Sequence, residues 1–178
     1  MKLFFVRHGQ TNYNAEKDLV NSDPSKDVHL TELGKSQAKN VAEKLKHKNI
    51  DIIFVSELPR TRQTANIINV YHTSPIKVDK RINDRKTGFE GRPYREFVEA
   101  VEKDIFNTKF GDGESFLEEK ERVFSFLSDL KSLNYDNVLV VSHGEPIKLA
   151  VGYFKSLSNE DIWKLNINNC QLLEFEFV

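Results

Sequence analysis

The amino-acid sequence predicts a three-layer α/β sandwich, a mostly parallel sheet with helices on both faces and an antiparallel edge strand at its C-terminal end. Three patterns predict it: short continuous apolar runs, amphipathic stretches of helical period between them, and a last segment in which apolar and acidic residues alternate. Leu3 to Val6, Ile52 to Val55 and Val138 to Val141 are the apolar runs, each bounded by polar residues as a strand buried on both faces would be. Ile76 to Asp79 is a weaker strand, and Leu172 to Val178 has the alternation of a half-exposed edge strand. Thr31 can cap a helix that runs to about Lys46, with Leu33, Ala38, Val41, Ala42 and Leu45 on one apolar face. Pro59 suits the first turn of a second helix, which continues through Ile67 and Ile68. Further helices are expected from Arg95 to Phe106, from Ser115 to Leu133, and from Pro146 onward. The polar stretch from Ala15 to His29 is expected to be an exposed loop.

A chain of 178 residues with 39% hydrophobic content suits one core, and no stretch has the composition of a linker, so residues 1–178 are expected to form a single domain. Its 26 basic and 27 acidic side chains nearly cancel, which argues against nucleic acid or an anionic membrane as partner. No segment has the length of a membrane span, and a soluble cytoplasmic protein is expected. Cys170 has no second cysteine to pair with and is expected to be a small buried hydrophobe.

Chemistry enters where the buried strands end. The first run ends in Arg7-His8-Gly9, the second in Ser56-Glu57-Leu58-Pro59-Arg60, and the third in Ser142-His143-Gly144. In open parallel sheets, ligands bind outside the carboxyl ends of the strands, so these ends can share one crevice. Two histidines and two arginines together suit an anion with several oxygens, phosphate above all, because arginines repel a metal cation. The helix expected near Pro146 would aim backbone N–H groups and the positive end of its dipole at the same place, which makes Gly144 a substrate-binding position. His29, His47 and His72 have no such context and read as surface or structural residues.

Arg7-His8-Gly9-Gln10-Thr11-Asn12-Tyr13-Asn14 resembles the R-H-G-[EQ]-T-x-x-N signature of the histidine phosphatase superfamily, which includes the cofactor-dependent phosphoglycerate mutases. The likeness continues in order along nearly the whole chain. Leu30-Thr31-Glu32-Leu33-Gly34 with Gln37-Ala38 resembles L-T-x-x-G-x-x-Q-A, and Ser56 to Ala65 resembles S-x-L-x-R-x-x-x-T-A. Gly113-Glu114-Ser115 and Val141-Ser142-His143-Gly144 are similar to the G-E-S turn and the second histidine motif.

The resemblance implies that His8 attacks phosphorus and carries a phosphohistidine, which passes to water or to another acceptor. It implies that Arg7, Arg60 and His143 hold the phosphoryl oxygens, with Asn14 adding a neutral hydrogen bond. It also implies a carboxylic acid four residues before a glycine, as proton donor to the leaving oxygen. Counting back from Gly88 gives Asp84; alignment on Gly91 would give Asn83, which cannot donate in that way. Asp stands here where the family usually has Glu. Arg85 and Lys86 follow directly, where a mutase places basic residues for a substrate carboxylate, so Arg85 is a candidate substrate ligand.

Three functions follow from the resemblance: a phosphatase that needs no cofactor, a mutase primed by 2,3-bisphosphoglycerate, and a non-catalytic phosphate-binding module. The shortness of the chain favours the phosphatase, and retention of both histidines and both arginines disfavours the third. No metal is expected, since the arginines and histidines supply the positive charge. The expected partner is a small phosphorylated metabolite, with pocket walls drawn from the loop before His29 and from the segment 84–110.

Overall fold

A computed structural model describes residues 1–177. Five strands form one sheet: β1 (Lys2–Arg7), β2 (Ile52–Val55), β3 (Ile76–Val78), β4 (Asn137–Ser142) and β5 (Leu172–Glu176). They lie in the order β3-β2-β4-β1-β5, and only β5 runs antiparallel to its neighbour. The expected edge strand is therefore in place up to Glu176; its last residue, Val178, lies outside the described residues.

Strand pleat divides the core in two. Leu3, Phe5, Ile52, Phe54, Val138 and Val140 face α5 (Phe116–Lys131), α6 (Gly144–Lys155) and α7 (Asn159–Lys164). The alternate residues Phe4, Val6, Ile53, Val55, Leu139 and Val141 face α2 (Glu32–Leu45) and α3 (Pro59–Ile68). With side chains committed to both faces, the central strands must be apolar throughout, which is why they read as continuous runs. Each fully buried Leu, Phe or Val contributes about 1.5–3 kcal/mol relative to exposure.

The helices begin where the sequence says they can. Thr31 accepts from the Gly34 N–H to cap α2, and Pro59 occupies the first turn of α3. Ser115 caps α5 in a capping box completed by Glu118. Leu33 departs from expectation: it is 54% exposed, while Gly34, Ala38, Val41, Ala42 and Leu45 form the buried face. Gly34 packs directly on the loop after β1, which fixes the buried face through position 34 and turns Leu33 about 100° away.

Three further differences concern boundaries and short elements. The helix expected from Arg95 to Phe106 is α4 (Tyr94–Val101), because Asp104 accepts from the Asn107 backbone N–H in a local turn that competes with helix. The helix expected at Pro146 already begins at Gly144, with His143 as its cap. Neither α7 nor a five-residue α1 (Asn12–Glu16) was apparent in the sequence pattern.

The segment 15–29 is not wholly exposed. Val20, Asn21 and Val28 are buried, and Val20 packs with Phe89, Phe97 and Val101. The Val20 N–H donates to the Arg92 carbonyl, and the Gly91 N–H donates to that of Val20. A small apolar cluster thus folds this loop over the carboxyl ends of the strands. Among the described residues no helix is long and apolar enough to cross a membrane.

Candidate active site

Strand register brings the two histidine motifs together. Arg7 of β1 lies opposite Ser142 of β4, so the next residues, His8 and His143, emerge side by side with ring centroids 5.2 Å apart. Position 9 must be glycine: a Cβ there would lie 2.5 Å from the Gly34 carbonyl oxygen, and one on Gly34 would lie 2.1 Å from that of Gln10. The two backbones touch. Gln37 and Thr31 strengthen the seat by bonding to Gln10, which gives the L-T-x-x-G-x-x-Q-A segment a structural purpose.

His8 is 3% exposed and has a defined tautomer. Its Nδ1 lies 2.8 Å from the Gly9 carbonyl, which can only accept, so Nδ1 carries the proton. Its Nε2 accepts from Arg60 Nε at 3.1 Å and therefore holds the lone pair. Burial, with Arg60 and Arg7 adding repulsion, holds the imidazole well below its ordinary pKa. A neutral ring with a directed lone pair is the form a nucleophile needs.

Around that nitrogen the structure gathers donors. The Arg60 guanidinium reaches the Asn21 carbonyl at 2.9 Å and Asp84 at 3.0 Å, both through Nη2. Arg7 Nη1 donates to the Ile167 carbonyl at 2.7 Å. Arg7 Nε, Arg60 Nη1 and His143 Nδ1 are buried and have no hydrogen-bond partner among the described residues. Unpaired buried donors are costly, and several in one place mark a site built for an acceptor. His143 Nε2 bonds Ser56 Oγ at 2.8 Å, leaving Nδ1 as the edge toward the site. Burial, then Arg60 and His8, hold His143 neutral as well. Gly144 adds its backbone at the start of α6, and a Cβ there would come within 3.7 Å of Arg7 Nε.

Asp84 is the carboxylate nearest this cluster, 3.7 Å from His143 Nδ1. Its carboxyl is held above its usual range, chiefly by burial; Arg60 opposes the shift and Glu145 adds to it. Asn83 faces away, with its amide on the backbone and carboxylate of Glu57. Glu114 is tied to Arg122, whose Nη1 also holds the carbonyls of Arg81 and Asn83 and so anchors the Asp84 segment. Glu90 bonds Ser22.

Arg7, His8, Arg60, Asp84 and Gly144 line a cavity of about 170 Å³, with His143 buried behind them. Asn14 is on its wall, with its carbonyl accepting from Thr11 and its amide donating to Asp18 at 3.1 Å. Arg85 is on the wall too, but its fork is closed on Glu145, with Nη2 to Oε1 at 2.8 Å and Nε to Oε2 at 3.0 Å. Glu119 lies behind it at 3.6 Å, and Phe97 lies under the guanidinium. Lys86 is exposed and paired with Asp112.

Several wall residues escaped the sequence reading. Asn21 is buried, and its amide nitrogen has no hydrogen-bond partner among the described residues. Its signal was the apolar pair Leu19-Val20 inside an otherwise polar stretch. Glu145 and Lys148 follow Gly144 on α6, and helical period alone puts 144 and 148 on one face. Tyr94, which donates to Glu145 at 3.1 Å, and the carbonyl-bearing segment Asn166–Ile167 gave no local signal.

The family model described as "Histidine phosphatase superfamily (branch 1)" matches residues 3–178. The "Putative phosphoserine phosphatase 2" of Hydrogenobacter thermophilus is 32% identical over 97% of this chain and 88% of its own. The "Probable phosphoglycerate mutase GpmB" of Escherichia fergusonii is 32% identical over 99% of this chain and 85% of its own. Among solved structures, the phosphoserine phosphatase of Entamoeba histolytica, in complex with 3-phosphoglyceric acid, superposes with a TM-score of 0.84 at 25% identity. That superposition covers 99% of this chain and 90% of the other.

Proposed function

From the premise that this chain belongs to the histidine phosphatase superfamily, we propose that it hydrolyses small phosphate monoesters through a phosphohistidine on His8. One observation carries the reading: close to His8 Nε2, whose lone pair accepts from Arg60, lie two buried arginine donors, Arg7 Nε and Arg60 Nη1, and the ring edge His143 Nδ1, none with a hydrogen-bond partner among the described residues. Unpaired polar groups gathered around a nucleophilic nitrogen suit the equatorial oxygens of a phosphoryl group in transfer.

In the first step Nε2 attacks phosphorus in line while the P–O ester bond breaks. Asp84, whose carboxyl burial holds above its usual range, gives its proton to the leaving oxygen. In the second step the Asp84 carboxylate takes a proton from water, whose oxygen attacks phosphorus as the P–N bond breaks and Nε2 regains its lone pair. Phosphate leaves and Asp84 is again protonated. Arg7, Arg60 and the Gly144 end of α6 neutralise the charge in both steps, so neither a metal nor a primer is required. Asn14 completes the rim beside the ring.

The mutase reading loses ground because both basic residues that suggested it are engaged by protein carboxylates, Arg85 by Glu145 and Lys86 by Asp112. A panel of monoesters including 3-phosphoglycerate, with and without 2,3-bisphosphoglycerate, tests the choice. Phosphate release unaffected by the bisphosphate is the expected result; interconversion of 2- and 3-phosphoglycerate that requires it would establish the mutase. In the same assay the parent should carry an acid-labile, base-stable phosphoryl label, and His8→Ala should lose both label and turnover.

A further inference from the structure

The cavity wall holds four cations, and three are accounted for. Arg7 and Arg60 surround His8, and Arg85 is closed on Glu145. The fourth, Lys148, forms no ion pair among the described residues; its ammonium makes one long hydrogen bond, 3.3 Å, to the Trp163 carbonyl. An ammonium has three donors, so two are left for the cavity.

We infer that Lys148 is a specificity-determining residue that binds a carboxylate on the leaving group of the phosphate ester. This rests on the reading of the His8 cluster as a phosphomonoester site. The placement follows from α6 itself. Gly144 abuts the phosphoryl end of the cavity, and Lys148 lies four residues later on the same face, one turn or about 5.4 Å further along. An anion four bonds from phosphorus spans that separation.

One ammonium suits a single carboxylate, and the forked guanidinium on that wall that would grip a second phosphate bidentately, Arg85, is already closed. Burial lowers the basicity of Lys148, and Glu145, itself held by Arg85 and Tyr94, opposes that shift only in part. The rest of that wall is suited to a short polar group rather than a large apolar one: the Tyr94 hydroxyl, Asn166 and the Glu145 carboxylate. A purely structural role is the rival, since Lys148 also sits against Trp163 at the C-terminal end of α7.

The test compares 3-phosphoglycerate with glycerol 3-phosphate, which has the same carbon skeleton and a neutral hydroxymethyl group in place of the carboxylate. The parent is expected to favour the carboxylated ester by about tenfold in kcat/KM, as a partly buried charge pair would provide. Lys148→Met should bring that ratio close to one, and Lys148→Arg should restore much of it. A parent with no preference, or a Lys148→Met protein that loses the same factor on both esters, overturns the inference. Binding of the two esters to the His8→Ala protein, measured by calorimetry, reads the same ratio without turnover. Absence of hydrolysis by the parent would thus count against the phosphatase reading, while equal affinities in the binding experiment would count against Lys148.

Discussion

The two halves of the cavity are built by different means. The half that faces phosphorus stands on strand ends and the first turns of helices: His8 and Arg7 after β1, Arg60 in α3, His143 after β4. It is nearly closed to solvent, with Arg60 4% and His143 0% exposed. The half that faces the leaving group is assembled mainly from loops, the segments around Asn21, Asp84 and Asn166, held by a four-residue apolar cluster and a few ion pairs, with Lys148 and Glu145 of α6 and Tyr94 of α4 beside them. A sheet locks its strand ends by hydrogen bonds on both sides, while a loop can be replaced without disturbing the core. The difference implies that phosphoryl chemistry is fixed in this protein and that substrate choice is set by the loops together with the side of α6 that carries Lys148.

The strongest way to break that division is to strike the one loop residue assigned to chemistry. Asp84→Asn should lower kcat/KM for esters with poor leaving groups by about 10²–10⁴-fold, and for activated aryl esters far less, since these depart without a proton. Steady-state rates on an alkyl and a nitrophenyl ester measure it; equal losses on both would assign Asp84 to charge balance against Arg60 instead of proton donation.

A smaller effect is expected at Asn21, whose carbonyl holds Arg60 while its amide faces the cavity. Asn21→Ala keeps the carbonyl and removes the amide, and should cost about tenfold in kcat/KM, the scale of one hydrogen bond to a charged group. The loss should be similar for all esters if the amide touches phosphoryl oxygen and ester-dependent if it touches the leaving group. Either result locates the border between the two halves.

The smallest effect concerns stability of the strand-built half. His8 and His143 are held neutral when folded, while the unfolded chain protonates them near pH 6.5. Below that pH the unfolded state binds protons that the folded state refuses. Their contribution is thus full above about pH 6.5 and is lost as pH falls toward the lowered folded values. Thermal unfolding should show Tm falling by a few degrees between roughly pH 7 and 5, and falling less in His8→Asn/His143→Asn; identical slopes would mean that the rings are not desolvated as described.

Legibility in the sequence follows the same border. Strand-built parts announce themselves because a two-faced strand must be a continuous apolar run and its functional residues follow it directly, as Arg7-His8-Gly9 and Ser142-His143-Gly144 do. Arg85 shows where such reading stops. Its basic character and place after Asp84 suggested a substrate ligand, yet its partners Glu119 and Glu145 come from other elements, and no local pattern reveals that two carboxylates converge on it. Leu33 fails for a related reason, since a contact of Gly34 with a loop more than twenty residues earlier turned the helix face.

The crossing of Gly9 over Gly34 has a consequence for how such a site can drift. Side chains repack, and a nucleophile braced by them would wander whenever a neighbour mutated. Here the peptide unit behind His8 rests against another peptide unit, and main chain has nothing to trim or swap. The mount has no adjustable part, so changes elsewhere in the wall shift the backbone behind the catalytic ring only if they move α2 as a body. Such a joint lets a lineage rework the leaving-group side many times over while the attacking atom keeps its coordinates.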